Sequence, residues 1–430
     1  VGRPLLAEHL PERDHVVVQL EERLQPEAVQ ALAQERVHRG FGRVLGKLLQ
    51  RLLRLQGDPA QARHDAPDVH VHGEVRAVQR QQQNARHRLH AVALHGQQVP
   101  ARDVSGAVAQ ELQRELAVPL SLDAPQDALD ALMGDAEGAK LWALAEDAKT
   151  LVKSLIAEHD IDAHLKPGVA WMGSTDAEVR QLHGYTEYLA RAHNYKQIET
   201  LDRAALHSVC PSPDYRGGML DMGAAHLHPL NFALGLARAC VAAGVRIHER
   251  ATVHQIEEAA PATVRTDAGH VKADHVILAC NGYLGGLNRK VAARVMPINN
   301  FIVATEPLGE RIADVLPRDV AVADSRFVVN YFRLSHDGRL LFGGGESYGY
   351  RFPSDIAAKV RKPMSVIFPN LADVKIDYAW GGTLGITMKR LPYLARPAKN
   401  ILSASGYSGH GVGTATHAGQ LMARAIQGDG

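Results

Sequence analysis

Near its C-terminus the chain runs NILSASGYSGHGVGTATHAGQLMARAIQG, an apolar strand, a glycine-rich loop and a helix in succession. Gly406, Ser408, Gly409, His410, Gly411 and Val412 form the junction. Glycines at such a place let main-chain N–H groups approach a phosphate or the edge of a cofactor ring. Taken alone, the string is equally a tight strand-to-helix turn. His226 and His228 make an H-x-H pair, but on a turn beside Pro229 and with no third ligand in the neighbouring sequence, so no metal is expected. Cys210, Cys240 and Cys280 are spaced too widely for a thiolate zinc site or a disulfide framework. That usage points to a reducing, cytoplasmic setting. No acid/base dyad stands out.

Several elements must position these groups. The chain has 430 residues, enough for two to three domains. Its 48 Lys plus Arg balance 47 Asp plus Glu, leaving a formal charge of +1 and no field to gather nucleic acid or an anionic membrane. No apolar run approaches the roughly 18 residues that span a bilayer. From about Ala117 the texture is α/β. The spacing predicts helices over 137–158 and from Thr175 to about Ala192, with a strand near HLKPGVAWMG. PLNFALGLARACVAAGV reads as a helix with Pro229 in its first turn and Gly244 just past its end, leading into the strand VRIHE. Short strands joined at Asp267-Ala268-Gly269 then precede the buried-type strand ending at Asn281-Gly282. From Met296 to Tyr378, longer alternating strands, a type I′-like turn at Asp337-Gly338 and a helix from about Asp355 to Phe368 predict a mostly antiparallel sheet.

The first quarter differs. Residues 1 to about 115 contain no Met, Trp, Thr, Ile, Tyr or Cys, one aromatic (Phe41) and one lysine (Lys47). Only a helix after Pro26 has local support. The segment 1–116 reads either as a biased, helical or partly disordered extension or as a translation of the wrong frame of a GC-rich gene; on the second reading it makes few specific contacts with the rest.

Six blocks in series, RGGMLDMGAAHLHPLNFALGLA, VILACNGYLGGL, PINNFIVATEPLG, YFRLSHDGRLLFGGG, IDYAWGGTLGITMKRLPYL and YSGHGVGTATHAGQLMARAI, resemble the FAD-dependent oxidoreductases of the D-amino-acid oxidase superfamily across about residues 117–428. The resemblance implies an α/β, Rossmann-like FAD-binding fold joined to a mostly antiparallel substrate domain. Flavin parts are expected at about 223–295 and 381–430, and substrate parts at about 160–222 and 296–380. It implies oxidation of a small-molecule amine, gamma-glutamylputrescine-like, to an imine that water converts to aldehyde and ammonia, with dioxygen as acceptor and hydrogen peroxide as product. By the same resemblance Gly406, Ser408, Gly409, His410, Gly411 and Val412 lie against the flavin ring, Val253 faces the adenine end, and Ala279 and Gly282 face the pyrophosphate and ribose. Tyr331, Arg333 and Trp380 form the substrate wall, with Arg333 able to pair with a carboxylate. Each of these is otherwise an ordinary packing or strand residue. No Cys follows Cys280, so the FAD is expected to be non-covalent.

One part of the family pattern is missing. The opening strand, GxGxxG turn and helix, which hold the FAD pyrophosphate, have no counterpart, and neither does a later Ser-Gly-Arg-Asn-Gly-Gly string. Gly40-Phe41-Gly42-Arg43-Val44-Leu45-Gly46 has one residue too many and follows a helical pattern. Loss of that unit predicts weaker FAD binding by several kcal/mol or more, on the order of the charge-assisted bonds removed. Two functions remain open from sequence: an amine oxidase, or a catalytically inactive remnant acting as an interaction module. A weaker third is an N-terminal helix that serves oligomerisation or a partner.

Overall fold

The computed structural model describes the backbone of Val16–Val17 and residues 126–348 and 351–428. The helix expected after Pro26, the Gly40–Gly46 string and the contacts of residues 1–116 lie outside the described residues. In chain order the strands are β1 (Val16–Val17), β2 (Lys166–Gly173), β3 (Ile198–Leu201), β4 (Gly217–His226), β5 (Arg246–Ile247), β6 (Val253–Glu257), β7 (Ala262–Thr266), β8 (Gly269–Ala273), β9 (Val276–Leu278), β10 (Met296–Pro307), β11 (Ala321–Asp324), β12 (Tyr331–Leu334), β13 (Arg339–Ser347), β14 (Ile376–Ile386), β15 (Tyr393–Ala398) and β16 (Ile401–Ser405). The helices are α1 (Gln126–Met133), α2 (Asp135–Glu158), α3 (Asp176–Ala192), α4 (Arg203–His207), α5 (Pro229–Ala242), α6 (Arg289–Ala292), α7 (Ile356–Ile367) and α8 (Gly411–Gln427).

Helix starts follow their capping chemistry. Thr175 and Glu178 form a capping box on α3, each side chain accepting from the other's backbone N–H at 3.2 and 2.9 Å. Pro229 opens α5 after His228, whose ring Nδ1 accepts from Asn231 N at 3.2 Å, and Asp355 caps α7. Two expectations change in detail. The strand expected over VRIHE contracts to Arg246–Ile247, which pairs in parallel with Val16–Val17 of β1 among the described residues. At the β12–β13 turn only Gly338 of the Asp337–Gly338 pair has positive φ, 77°, so the turn is not the primed two-residue type. Ser335 closes it instead, accepting from Gly338 N at 3.1 Å through its carbonyl and from Arg339 N at 2.9 Å through its hydroxyl.

An eight-stranded sheet dominates, ordered β14-β10-β13-β12-β11-β2-β4-β3. Every neighbouring pair in it is antiparallel except β11 with β2. A smaller sheet, β15-β16-β9, carries the parallel pair β16–β9 that feeds α8, and β6-β7-β8 forms an antiparallel meander beside it. Among the described residues no strand–GxGxxG–helix unit accompanies β9 and β16, and no helix is long and apolar enough to cross a membrane.

The large sheet has two distinct faces because side chains alternate along each strand. One face buries Phe301, Val303, Phe332 and Phe342 against Val360 and Met364 of α7. Phe332 lies 5.5 Å from Phe342 and 5.0 Å from Phe368, centroid to centroid. Each such ring contributes about 1.5–3 kcal/mol by burial. The opposite face presents Trp380, Ile302, Gly343, Tyr331, Ala323 and Trp171 in one row across six strands, by register. Phe332→Ala is therefore expected to lower unfolding stability by about 3–5 kcal/mol, read as a fall in the urea midpoint at unchanged m-value; a change below 1 kcal/mol would contradict the assigned faces.

Candidate functional site

The glycine loop after β16 is held from two sides. Gly406 adopts φ 72°, and a Cβ there would lie 2.4 Å from Thr387 Cγ2, so both conformation and space require glycine. Its N–H donates to Asn281 Oδ1 at 2.9 Å, while Ser408 N donates to the Gly385 carbonyl at 3.0 Å. Ser408 is buried at φ 54°, and Gly409 at φ 100° faces open space. His410 N donates to Tyr407 O at 3.0 Å, and α8 then begins at Gly411 with no side-chain cap. An uncapped first turn directs N–H groups and the positive end of the helix dipole toward any anionic partner. Ser405, buried at the end of β16, adds a hydroxyl with no hydrogen-bond partner among the described residues.

The remaining sequence candidates are spread over β6, the end of β9 and the start of α8. Val412 is fully buried against Val152, Leu227 and Phe232, so its side chain packs while its backbone belongs to the first turn of α8. Gly282 follows Asn281 in a 3-10 turn and lies against the backbone of Thr383 and Leu384. Ala279 is exposed at the end of β9, and Val253 is buried at the start of β6, paired with Thr266. Asn281, with φ 43°, was not among the sequence candidates; its signal was an Asn-Gly pair at the end of a buried strand.

Tyr331, Arg333 and Trp380 share one face of the large sheet. Tyr331 lies over Gly343, where a Cβ would stand 1.9 Å from the ring, and its hydroxyl donates to Asn300 Oδ1 at 2.6 Å. Tyr331, Arg333, Ile302, Ala321 and Gly343 line an open-mouthed recess of about 320 Å³, the solvent at its mouth included. Trp380 is not part of that lining, since β10 and β13 intervene between it and Tyr331, about 14 Å at the usual strand spacing.

Arg333 is 9% exposed; its Nη1 donates to the Leu334 carbonyl at 2.9 Å, and Nη2 has no partner among the described residues. Burial pulls its pKa down to about 10, opposed by the charge of Asp319. His226, 2% exposed, engages the Asp319 carbonyl through Nε2 at 3.3 Å. Burial and then the Arg333 charge depress it to about 4. His228 joins His164 and His336 in a cluster with ring centroids 4.7 to 5.9 Å apart. Neither His164 nor His336 was singled out from sequence. No group of three His, Cys, Asp or Glu with metal-holding geometry occurs among the described residues.

A parallel strand pair that feeds a helix across a pinned glycine loop, beside a mostly antiparallel sheet, defines an α/β architecture. The chain belongs to the FAD dependent oxidoreductase (DAO) family, whose profile matches residues 77–425 and so takes in part of the atypical segment. It is 39% identical over 298 residues to the probable oxidoreductase OrdL of Rhizobium meliloti (strain 1021), covering 69% of each chain. It is 37% identical over 306 residues to gamma-glutamylputrescine oxidoreductase of Escherichia coli (strain K12), covering 70% of this chain and 71% of the relative. Glycine oxidase from Geobacillus kaustophilus shares the fold, with a TM-score of 0.62 at 18% identity over 75% of this chain and 85% of that one.

Two outcomes test this geometry. Gly406→Ala is expected to lower stability by about 1–3 kcal/mol through backbone strain and the Thr387 contact, measured by urea unfolding; an unchanged midpoint would show that the loop is not held as described. His226 has a folded pKa below its ordinary 6.5, so its contribution is complete above pH 6.5 and is lost as pH falls toward about 4. The wild type should lose up to about 3 kcal/mol relative to His226→Gln across that window, read from paired unfolding curves at pH 7.5, 6, 5 and 4.

Proposed function

We propose that the protein oxidises a small-molecule amine, gamma-glutamylputrescine-like, with non-covalent FAD as cofactor and dioxygen as final acceptor. The substrate's C–N bond becomes an imine that water converts to aldehyde and ammonia. FAD, when bound, accepts the two electrons and passes them to dioxygen, which leaves as hydrogen peroxide.

The residues fit the ring end of this cofactor. Gly406, Ser408, Gly409, His410, Gly411 and Val412 would hold the ring end, where the uncapped first turn of α8 offers main-chain N–H groups that could stabilise negative charge on the ring. Val253, Ala279 and Gly282 would line the adenine, pyrophosphate and ribose side. Tyr331, fixed by Asn300, offers an aromatic wall, and Trp380 on the same face bears an Nε1 without a partner among the described residues. Arg333 would pair with a substrate carboxylate, and its positive charge disfavours protonation of a nearby amine, favouring the neutral form that gives up hydride.

The observation that supports this reading is that Val412, in the first turn of α8, shares one buried core cluster with Leu227, the residue between His226 and His228. The test is to incubate the purified chain with FAD, desalt it, record its visible absorbance and assay peroxide with gamma-glutamylputrescine, sarcosine and glycine. Retained flavin with peroxide from one of these amines is the expected result. Because the sequence has no GxGxxG, flavin retention is the decisive observable; a colourless, inactive protein would overturn the proposal in favour of an inert remnant of the fold.

A further inference from the structure

The connection between β11 and β12, residues 325–330, has a fixed root and an exposed tip. Asp324, wholly buried at the end of β11, accepts from Asn330 N at 2.9 Å through Oδ1, and from Asn330 Nδ2 at 2.8 Å and Arg326 Nη1 at 2.6 Å through Oδ2. Its own N–H donates to the Asn330 carbonyl at 3.0 Å, and Arg326 pairs in turn with Asp214. Main-chain and charge-assisted bonds to one buried carboxylate hold such a frame firmly. The frame delivers Tyr331 opposite Ala323, at the recess. Phe327 stands outside it, 78% exposed.

Phe327 has one ring partner among the described residues, Arg390, whose guanidinium carbon lies 5.8 Å from the ring centroid. Arg390 comes from the glycine-loop side. It lies in the turn between β14 and β15, where its N–H donates to the Thr387 carbonyl at 3.0 Å. Thr387 N donates to Ser408 Oγ at 3.4 Å, and Thr387 Cγ2 is the atom that a Cβ on Gly406 would strike. The contact therefore runs from the loop that delivers Tyr331 to the turn fastened to the glycine loop. It is also the part most readily undone. Opening the β11–β12 connection would break the Asp324 bonds, whereas the ring leaves Arg390 by turning about its own side-chain torsions, and a cation–π contact exposed to water is weak.

We infer that Phe327 and Arg390 form a side-chain gate between solvent and the space separating Tyr331 from the glycine loop, shut while the ring lies on the guanidinium and open once it turns away. Phe327 is thus a specificity-determining residue: the width cleared by one phenyl ring, with the loop frame unmoved, admits a slender unbranched amine more readily than a branched one. This rests on the substrate occupying that space but not on its oxidation.

A thiol placed in the recess reads the gate without flavin or turnover. Ile302→Cys supplies it, in a Cys240→Ser background that leaves Cys210 and Cys280, both buried. Iodoacetamide is the slender probe and N-ethylmaleimide the bulky one, with alkylation of the full chain followed by mass spectrometry. Adding Phe327→Ala should speed iodoacetamide labelling about threefold, the gain when a weak exposed contact keeps the gate shut for roughly two-thirds of the time. N-ethylmaleimide should gain more than iodoacetamide. Arg390→Gln should also speed both reagents, although loss of a cation by itself would slow a thiol by disfavouring its thiolate. Phe327→Tyr should change neither. Thermal melts check that each variant folds, and Phe327→Leu, which removes the ring face, takes the place of Phe327→Ala if that variant does not. Unchanged labelling in Phe327→Ala, no gain in Arg390→Gln, equal gains for the two reagents, or no labelling of the new thiol in any variant would each overturn the gate. Peroxide formation is assayed separately, and a chain that makes none can still show gated labelling, so failure of the gate and failure of the oxidase reading are distinguishable.

Discussion

The bond from Gly406 N to Asn281 Oδ1, 2.9 Å long, is the point on which the site turns. It joins the end of β9 to the loop after β16, and the adjoining bond from Ser408 N to the Gly385 carbonyl ties the same loop to β14 of the large sheet. The small sheet and the large one are therefore registered through one side-chain amide and one backbone pair. The Ser408–Gly385 pair cannot rotate away without unmaking the strand that carries it, and the Asn281 amide holds the other end of the loop. The entry to α8, and with it the direction of its first-turn N–H groups, follows from that registration.

Alternation does the second part of the work. Because Phe332 enters the aromatic core under α7, Tyr331 and Arg333 must both face the other way. The hydrophobic face thus fixes the polar one, and the residues over which Tyr331 and Arg333 extend, Gly343 and Ala321, are small. Strands β4 and β14 run unbroken through the residues at which sequence placed boundaries between flavin and substrate parts, at 222–223 and 380–381.

Much of this was legible beforehand because it is local. Thr175 with Glu178, Pro229 and Asp355 mark helix starts by side chains that satisfy N–H groups only a few residues away. The β12 and β13 alternation placed Tyr331 and Arg333 on one face, and the glycine string announced a strand-to-helix turn. What could not be read is convergence. His164, His228 and His336 meet because β2 and β4 pair while β2 also runs parallel to β11, a crossover that nothing near any of the three histidines encodes. The same distance in sequence hid Asn281 as the acceptor for Gly406. Trp380 illustrates the converse: it shares the face of Tyr331, but the two strands between them keep it out of the recess.

The row of side chains on the polar face includes Trp171 and Trp380, two of the three tryptophans in the chain. Indole emission overlaps the absorption of an extended ring system that absorbs in the near ultraviolet, so energy transfer from this row would darken the protein's ultraviolet fluorescence if such a ring bound nearby. With β2 and β14 toward opposite ends of the sheet, the two indoles report from either flank. The face that the core residues turn outward is, optically, its own gauge of occupancy.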